Sequence, residues 1–140
     1  MLTNPMTSKR PINLGVSQGR LAICPTTHNC VCSQAEDEAH YVAPFSSPNM
    51  DGGKEILARL ASALHACEEA EVITQTDTYL HAECHSAWLG FVDDLELFWS
   101  EEEKVCHVRS ASRLGMSDMG KNRARVEKLR TLLEGWGFCD

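Results

Sequence analysis

Residues 1–50 contain all five prolines and no sustained hydrophobic period. That pattern predicts a flexible stretch over 1–13 and an extended, mostly irregular arm over 14–50 that wraps the rest. From residue 51 the pattern becomes regular. Ile56, Leu57, Leu60, Leu64 and Cys67 recur at helical spacing behind the capping residue Asp51, predicting a helix from about Gly53 to Glu68. The period then switches to alternation. In TYLHAECHS, Tyr79, His81, Glu83 and His85 point one way and Leu80, Ala82 and Cys84 the other. In FVDDLELFW, Phe91, Asp93, Leu95, Leu97 and Trp99 oppose Val92, Asp94, Glu96 and Phe98, and in VCHVRSA, Cys106, Val108 and Ser110 oppose Val105, His107, Arg109 and Ala111. Three such segments on short polar links predict an antiparallel meander. A last helix starts near Asp118 to Lys121, buries Val126, Leu129, Leu133 and Trp136, and ends at Gly135 and Gly137. The expectation is one α+β domain over 14–137, a sheet of three or more strands packed by two helices (51–137) behind the arm.

Because a one-residue slip would turn each apolar set to solvent, parity restricts the register. A tight turn around Glu101 and Glu102 places Arg109 opposite Asp94 and His107 opposite Glu96; pairing across SAWLG places Glu83 beside Asp94 and His81 beside Glu96. Two polar rows follow, Glu83–Asp94–Arg109 and His81–Glu96–His107. They form either a solvated, charge-decorated face, where each pair is worth about 0.2–1 kcal/mol, or a carboxylate pair sharing an arginine, able to bind a polar ligand or exchange protons. Asp93 is the exception, a carboxylate on an otherwise apolar face that has to be paired.

Charge sharpens this picture. The net charge of −7 hides an asymmetry: residues 51–103 carry thirteen acids against Lys54 and Arg59, whereas 104–130 carry eight bases against Asp118 and Glu127. Pairing between the two segments is the expected use. Without interleaved stacking aromatics the basic stretch does not suggest nucleic acid. No apolar run approaches the roughly 18 residues of a membrane helix and the N-terminus has no apolar signal core, so a cytoplasmic protein is expected, touching membranes only peripherally if at all.

Seven cysteines include a C-x5-C-x-C cluster at Cys24, Cys30 and Cys32 beside His28. One ragged cluster does not make a zinc site, which draws on two close ligand pairs. A Cys24–Cys30 disulfide is the alternative, while Cys67, Cys84 and Cys106 read as buried or idle thiols. His81, Glu83 and His85 share a face as metal ligands would, but no metal is expected there.

The segment VRSASRLGMSDMGKNRAR, Val108 to Arg125, concentrates arginines at a strand end, a glycine turn and a helix start. Asn122, four residues before Val126, points inward. Arg123 and Arg125 crowd a helix start that disfavours cations unless an anion lies nearby. Either these arginines clamp the protein's own acids, Asp93 among them, or they frame a pocket for an anion beside free helix amides. Asp118 caps the helix or contacts the ligand.

The blocks GRLAICPTTHNCVCSQAEDEAHYVAPF, YLHAECHSAWLGFVDDLEL and VRSASRLGMSDMGKNRAR resemble the three signature blocks of the family called domain of unknown function 1499, over about Leu14 to Leu133. The family pattern falls on Cys24, Pro25, Asn29, Cys30, Ser33 and His40, on His81, Glu83, Ser86, Asp93, Asp94 and Glu96, and on Arg109, Ser110, Ser112, Arg113, Gly115, Ser117, Asp118, Asn122 and Arg123. Thr27, His28, Cys32 and His85 depart from it. The resemblance implies a bacterial or plastid setting, with thylakoid association if a targeting segment has been removed, and supplies no reaction or cofactor. It favours Cys24 with Cys30 as one unit and Asp93, Asp94, Arg109, Arg113 and Arg123 as another.

The resulting expectation is an accessory protein that binds a small anion or a protein partner through Asn29, Cys30, Glu83, Asp93, Asp94, Arg109, Ser112, Arg113, Asp118, Asn122 and Arg123. The rivals are an enzyme using Cys30, within reach of an acid or His40, or the Asp93/Asp94 pair, and a protein whose Cys24–Cys30 disulfide serves structure or redox chemistry.

Overall fold

The computed structural model describes residues 9–46, 53–85, 91–115 and 117–133. Asp51, the SAWLG link, Gly135, Trp136 and Gly137 lie outside them. In chain order the elements are β1 (Cys30–Cys32), α1 (Gly53–His65), β2 (Ala70–Gln75), β3 (Tyr79–His85), β4 (Val92–Ser100), β5 (Val105–Ser112) and α2 (Lys121–Leu133). They form an α+β fold with one antiparallel sheet in the order β1-β5-β4-β3-β2. The meander extends over four strands, and the arm adds the fifth at the β5 edge. No helix among the described residues is long and apolar enough to cross a membrane.

The alternation places the core. Leu80, Ala82, Cys84, Leu95, Leu97, Trp99, Cys106 and Val108 pack on one sheet face against Ile56, Leu57, Leu60 and Leu64 of α1 and Val126 and Leu129 of α2. Leu60, Leu64, Leu80, Leu95, Leu97, Val108, Val126 and Leu129 are fully sealed between sheet and helices, each contributing about 1.5–3 kcal/mol. Past β1 the arm continues along the β5 edge, where Phe45 and Cys106 exchange both backbone hydrogen bonds at 2.8 Å. Arg130 of α2 fastens it there, donating to the carbonyls of Ala43 and Pro44 and lying over the Phe45 ring.

The β3–β4 register is as parity predicts, Glu83 opposite Asp94 and His81 opposite Glu96. The β4–β5 register is shifted by two residues: Arg109 faces Glu96, Ala111 faces Asp94, and His107 faces Phe98. The reason is the turn. Ser100 pairs with Val105, leaving a four-residue link that Lys104 closes at φ 58°, instead of the tight turn expected at Glu101 and Glu102. A slip of two leaves every side chain on its face.

Candidate functional site

The polar sheet face is buried. His81, Glu83, Asp94, Glu96, His107 and Arg109 are all under one tenth exposed, with Glu96 fully sealed. The solvated-face reading is thereby excluded, because the arm from Arg10 to Ala22 lies over that face. Three contacts fasten it: Arg10 Nε donates to Glu83 Oε2 at 2.5 Å, the Gly15 amide to Glu96 Oε2 at 2.7 Å, and Arg109 Nε to the Ala22 carbonyl at 2.9 Å. Gly15 reaches its position at φ 100°, where a side chain would be strained.

Arg113, one residue past β5, is the centre of this layer. Its Nε donates to Asp94 Oδ2 at 2.8 Å, and its Nη2 to Asp94 Oδ1 at 2.9 Å and Glu83 Oε2 at 2.7 Å. His81 Nε2 meets Asp94 Oδ1 at 2.8 Å. The carboxylate pair sharing an arginine thus exists, with Arg113 in the place expected for Arg109. Burial pushes the Asp94 carboxyl up, but Arg113 and His81 outweigh it and hold the group below the usual carboxylate range. Glu83 is shifted the same way, its desolvation outweighed by Arg10 and Arg113. Tyr79 donates to Glu96 Oε2 at 2.5 Å, and burial followed by that bond raises its phenol. His107 stands apart, between Ser33 Oγ and Glu103 Oε2 at 2.8 Å each.

A second polar knot lies on the opposite side of the sheet, under α2. Asp93, 1% exposed, meets Arg125 Nη2 at 2.9 Å and Lys121 Nζ at 3.2 Å. These are ion pairs without aligned hydrogen bonds. They explain the cations in the first turns of α2, whose positive end lies beside a buried anion. Asn122 is fully buried as expected, accepting from Ser110 Oγ and Arg125 Nη1 and donating to Ser112 Oγ and Asp118 Oδ2. Asp118 caps the helix, taking the amides of Gly120 at 2.8 Å and Asn122 at 3.1 Å.

The sheet therefore separates residues that the sequence groups together. Asp93 and Asp94 point to opposite faces and cannot act as one catalytic pair. Arg123 joins neither knot and fastens the arm, donating to the carbonyls of Tyr41 at 2.8 Å and Ala39 at 3.0 Å. Asn29 is a strut: its amide donates to the Ser112, Leu114 and Gly115 carbonyls and its Oδ1 accepts from Thr27.

Asn29, Cys30, Asp94, Arg109, Ser112 and Arg113 do converge, lining one cleft of about 260 Å³ roofed by Pro11, Asn13, Ile23 and Pro25. Cys30 enters it as half of a disulfide with Cys24 and not as a thiol. His40 is turned away, its Nδ1 on Asp37 Oδ2 at 2.5 Å and its Nε2 on the Thr27 carbonyl at 2.7 Å. The arrangement required for Cys30 catalysis is thus not assembled. Cys84 and Cys106 are buried thiols, whereas Cys67, expected as a third, is disulfide-bonded.

Ligating atoms of His81, Glu83 and Asp94 lie within 4.8 Å of one another, as do those of Glu71, Glu83 and His85. Either set could hold a cation by spacing alone, yet the Arg113 guanidinium already provides positive charge to the first. Glu96, Tyr79, Arg10, Gly15, Lys121 and Arg125 belong to the two knots but not to the expected binding set. Glu96 and His81 were signalled by parity. The contacts of Arg10 and Gly15 span more than seventy residues and leave no local trace.

A helix-backed antiparallel sheet with an arm strapped over a buried ion-pair layer defines the architectural class. Residues 20–133 match the model of the family described as protein of unknown function (DUF1499), and the chain belongs to that family. No curated protein and no solved structure matches it.

Proposed function

We propose that this protein acts by binding, holding a small singly charged anion, a carboxylate or the monobasic form of phosphate, in the cleft over Arg109. The observation that carries the reading is the unequal use of the arginines. Arg113 makes three charge-assisted bonds, Arg123 holds two carbonyls and Arg125 meets Asp93. Among the described residues, Arg109 has one carbonyl, Ala22, and one distant carboxylate oxygen, Glu96 Oε1 at 3.9 Å. That Glu96 oxygen has no hydrogen-bond partner, so this buried pair is the least satisfied part of the layer.

A guanidinium offers five donors in a planar fork suited to carboxylate or phosphate. Glu96 shares it, which disfavours multiply charged ligands. The test is calorimetric titration of phosphate and of acetate into the protein and its Arg109→Gln variant. Loss of a charge-assisted bond worth about 1.5–3 kcal/mol predicts a tenfold to hundredfold weaker complex in the variant. Equal heats in both proteins would refute the assignment.

A further inference from the structure

We propose that the Cys24–Cys30 disulfide is a reversible redox site whose reduction by an external dithiol, entering at Cys24, releases Cys30 as a reactive thiol inside the Arg109 cleft. The two sulfurs stand in different surroundings. Cys24 is half-buried and lines an open cleft of about 650 Å³ with Arg20, Leu21, Cys32 and Gln34. Cys30 is 3% exposed and lines the smaller cleft with Arg109, Arg113 and Asp94. An incoming thiolate therefore meets the Cys24 side first.

In the first step that thiolate bonds to Cys24 Sγ, the S–S bond breaks, and Cys30 Sγ leaves with the electron pair. The second thiol of the dithiol then displaces Cys24, so the reductant becomes its own disulfide and the protein gains two electrons and two protons. The leaving sulfur emerges into a cleft that Arg109, Arg113 and Asp94 also line; the Arg113 charge is taken up by Asp94 and Glu83, whereas Arg109, with its carboxylate partner Glu96 3.9 Å away, is the cation that favours the thiolate there.

The bond is also not the sole hold on β1. Its two cysteines are only six residues apart, so it closes a short loop. The same segment is fixed by the three amide donations of Asn29 and by backbone bonds from Ser112 to Asn29, Ser33 to Val108 and Cys32 to His40. The other free thiols among the described residues are poor competitors. Burial raises Cys32, pushes Cys84 up to about 11 and Cys106 up to about 12.

The site shares its cleft with the anion reading but needs no ligand, so the two fail separately: phosphate titration tests one and thiol reactivity the other. The experiment is pulsed iodoacetamide alkylation of the folded protein with and without dithiothreitol, mapped by peptide mass across pH 5.5 to 9. In reductant, Cys30 is expected to react at least tenfold faster at pH 7 than Cys32, Cys84 and Cys106. Its pH midpoint should lie below the roughly 8.5 of an ordinary thiol and rise in Arg109→Gln. Cys24→Ser, checked for folding by circular dichroism, should show the same Cys30 reactivity without reductant. A disulfide that resists dithiothreitol in the folded protein, or a Cys30 as slow as the three buried thiols, would overturn the proposal.

Discussion

Arg113→Met removes the cation from the centre of the arm-side layer while keeping most of the side chain's apolar stem. Three charge-assisted hydrogen bonds disappear, two on Asp94 and one on Glu83. Summing them at about 1.5–3 kcal/mol each overshoots, because His81 still meets Asp94 and Arg10 still meets Glu83. Removing one partner of a buried pair costs about 3–5 kcal/mol. Protonation limits the loss, since an acid with an ordinary value near 3.9 can take a proton at pH 7 for about 4 kcal/mol. The expected penalty is therefore about 3–4 kcal/mol at pH 7, falling to about 1–2 kcal/mol at pH 5, where that proton is easier to acquire. For a chain of this size the loss at pH 7 corresponds to a drop in Tm of roughly 10–15 °C. Urea unfolding followed by circular dichroism at both pH values measures it, and Arg113→Met with Asp94→Asn should recover part of the loss through non-additivity. A penalty below about 1 kcal/mol, or one equal at the two pH values, would refute the buried-pair reasoning.

Asp93→Asn weakens the ion pairs to Arg125 and Lys121 and should destabilise by about 1–3 kcal/mol; an unchanged melting temperature would remove Asp93 from the helix-side knot. Because the folded-state values of Glu83 and Asp94 are depressed, their contribution is complete above the unfolded values of about 4.3 and 3.9 and is lost as pH falls through the lower folded values. Unfolding free energy should thus decline below about pH 5 in the wild type and less steeply in Arg113→Met, and equal slopes would contradict the linkage. Gly15→Ala forces a side chain to φ 100° and disturbs the amide bond to Glu96, so a loss of about 1–2 kcal/mol with faster proteolysis between Arg10 and Arg20 is expected. Unaltered cleavage would separate Gly15 from the fastening of the arm.

The legible parts of this molecule were those with a local period. Alternation assigned Leu80, Leu95 and Val108 to the core and His81, Asp94 and Arg109 to the opposite face, and helical spacing placed Leu60 and Val126. Parity could not see a two-residue slip, so the partner of Arg109 was wrong while its face was right. Strand β2 escaped because a bulge between Val72 and Thr74 breaks its alternation at the sheet edge, and β1 because three residues carry no period. The alternation left the state of the polar face open between a solvated surface and a carboxylate pair sharing an arginine. Alternating charge ordinarily marks a solvated surface, and only the long-range docking of Arg10 and Gly15 turns this one into an interior. The same docking explains why the arginines of the last block mostly clamp the protein's own acids and carbonyls.

The proposed anion reading rests on Arg109, and native mass spectrometry of freshly purified, untreated protein beside its Arg109→Gln variant tests it most directly. Extra mass of a small anion on the wild type, lost on denaturation and absent from the variant, is the predicted result. Both proteins appearing at their own ligand-free masses in the presence of added phosphate or acetate would contradict it.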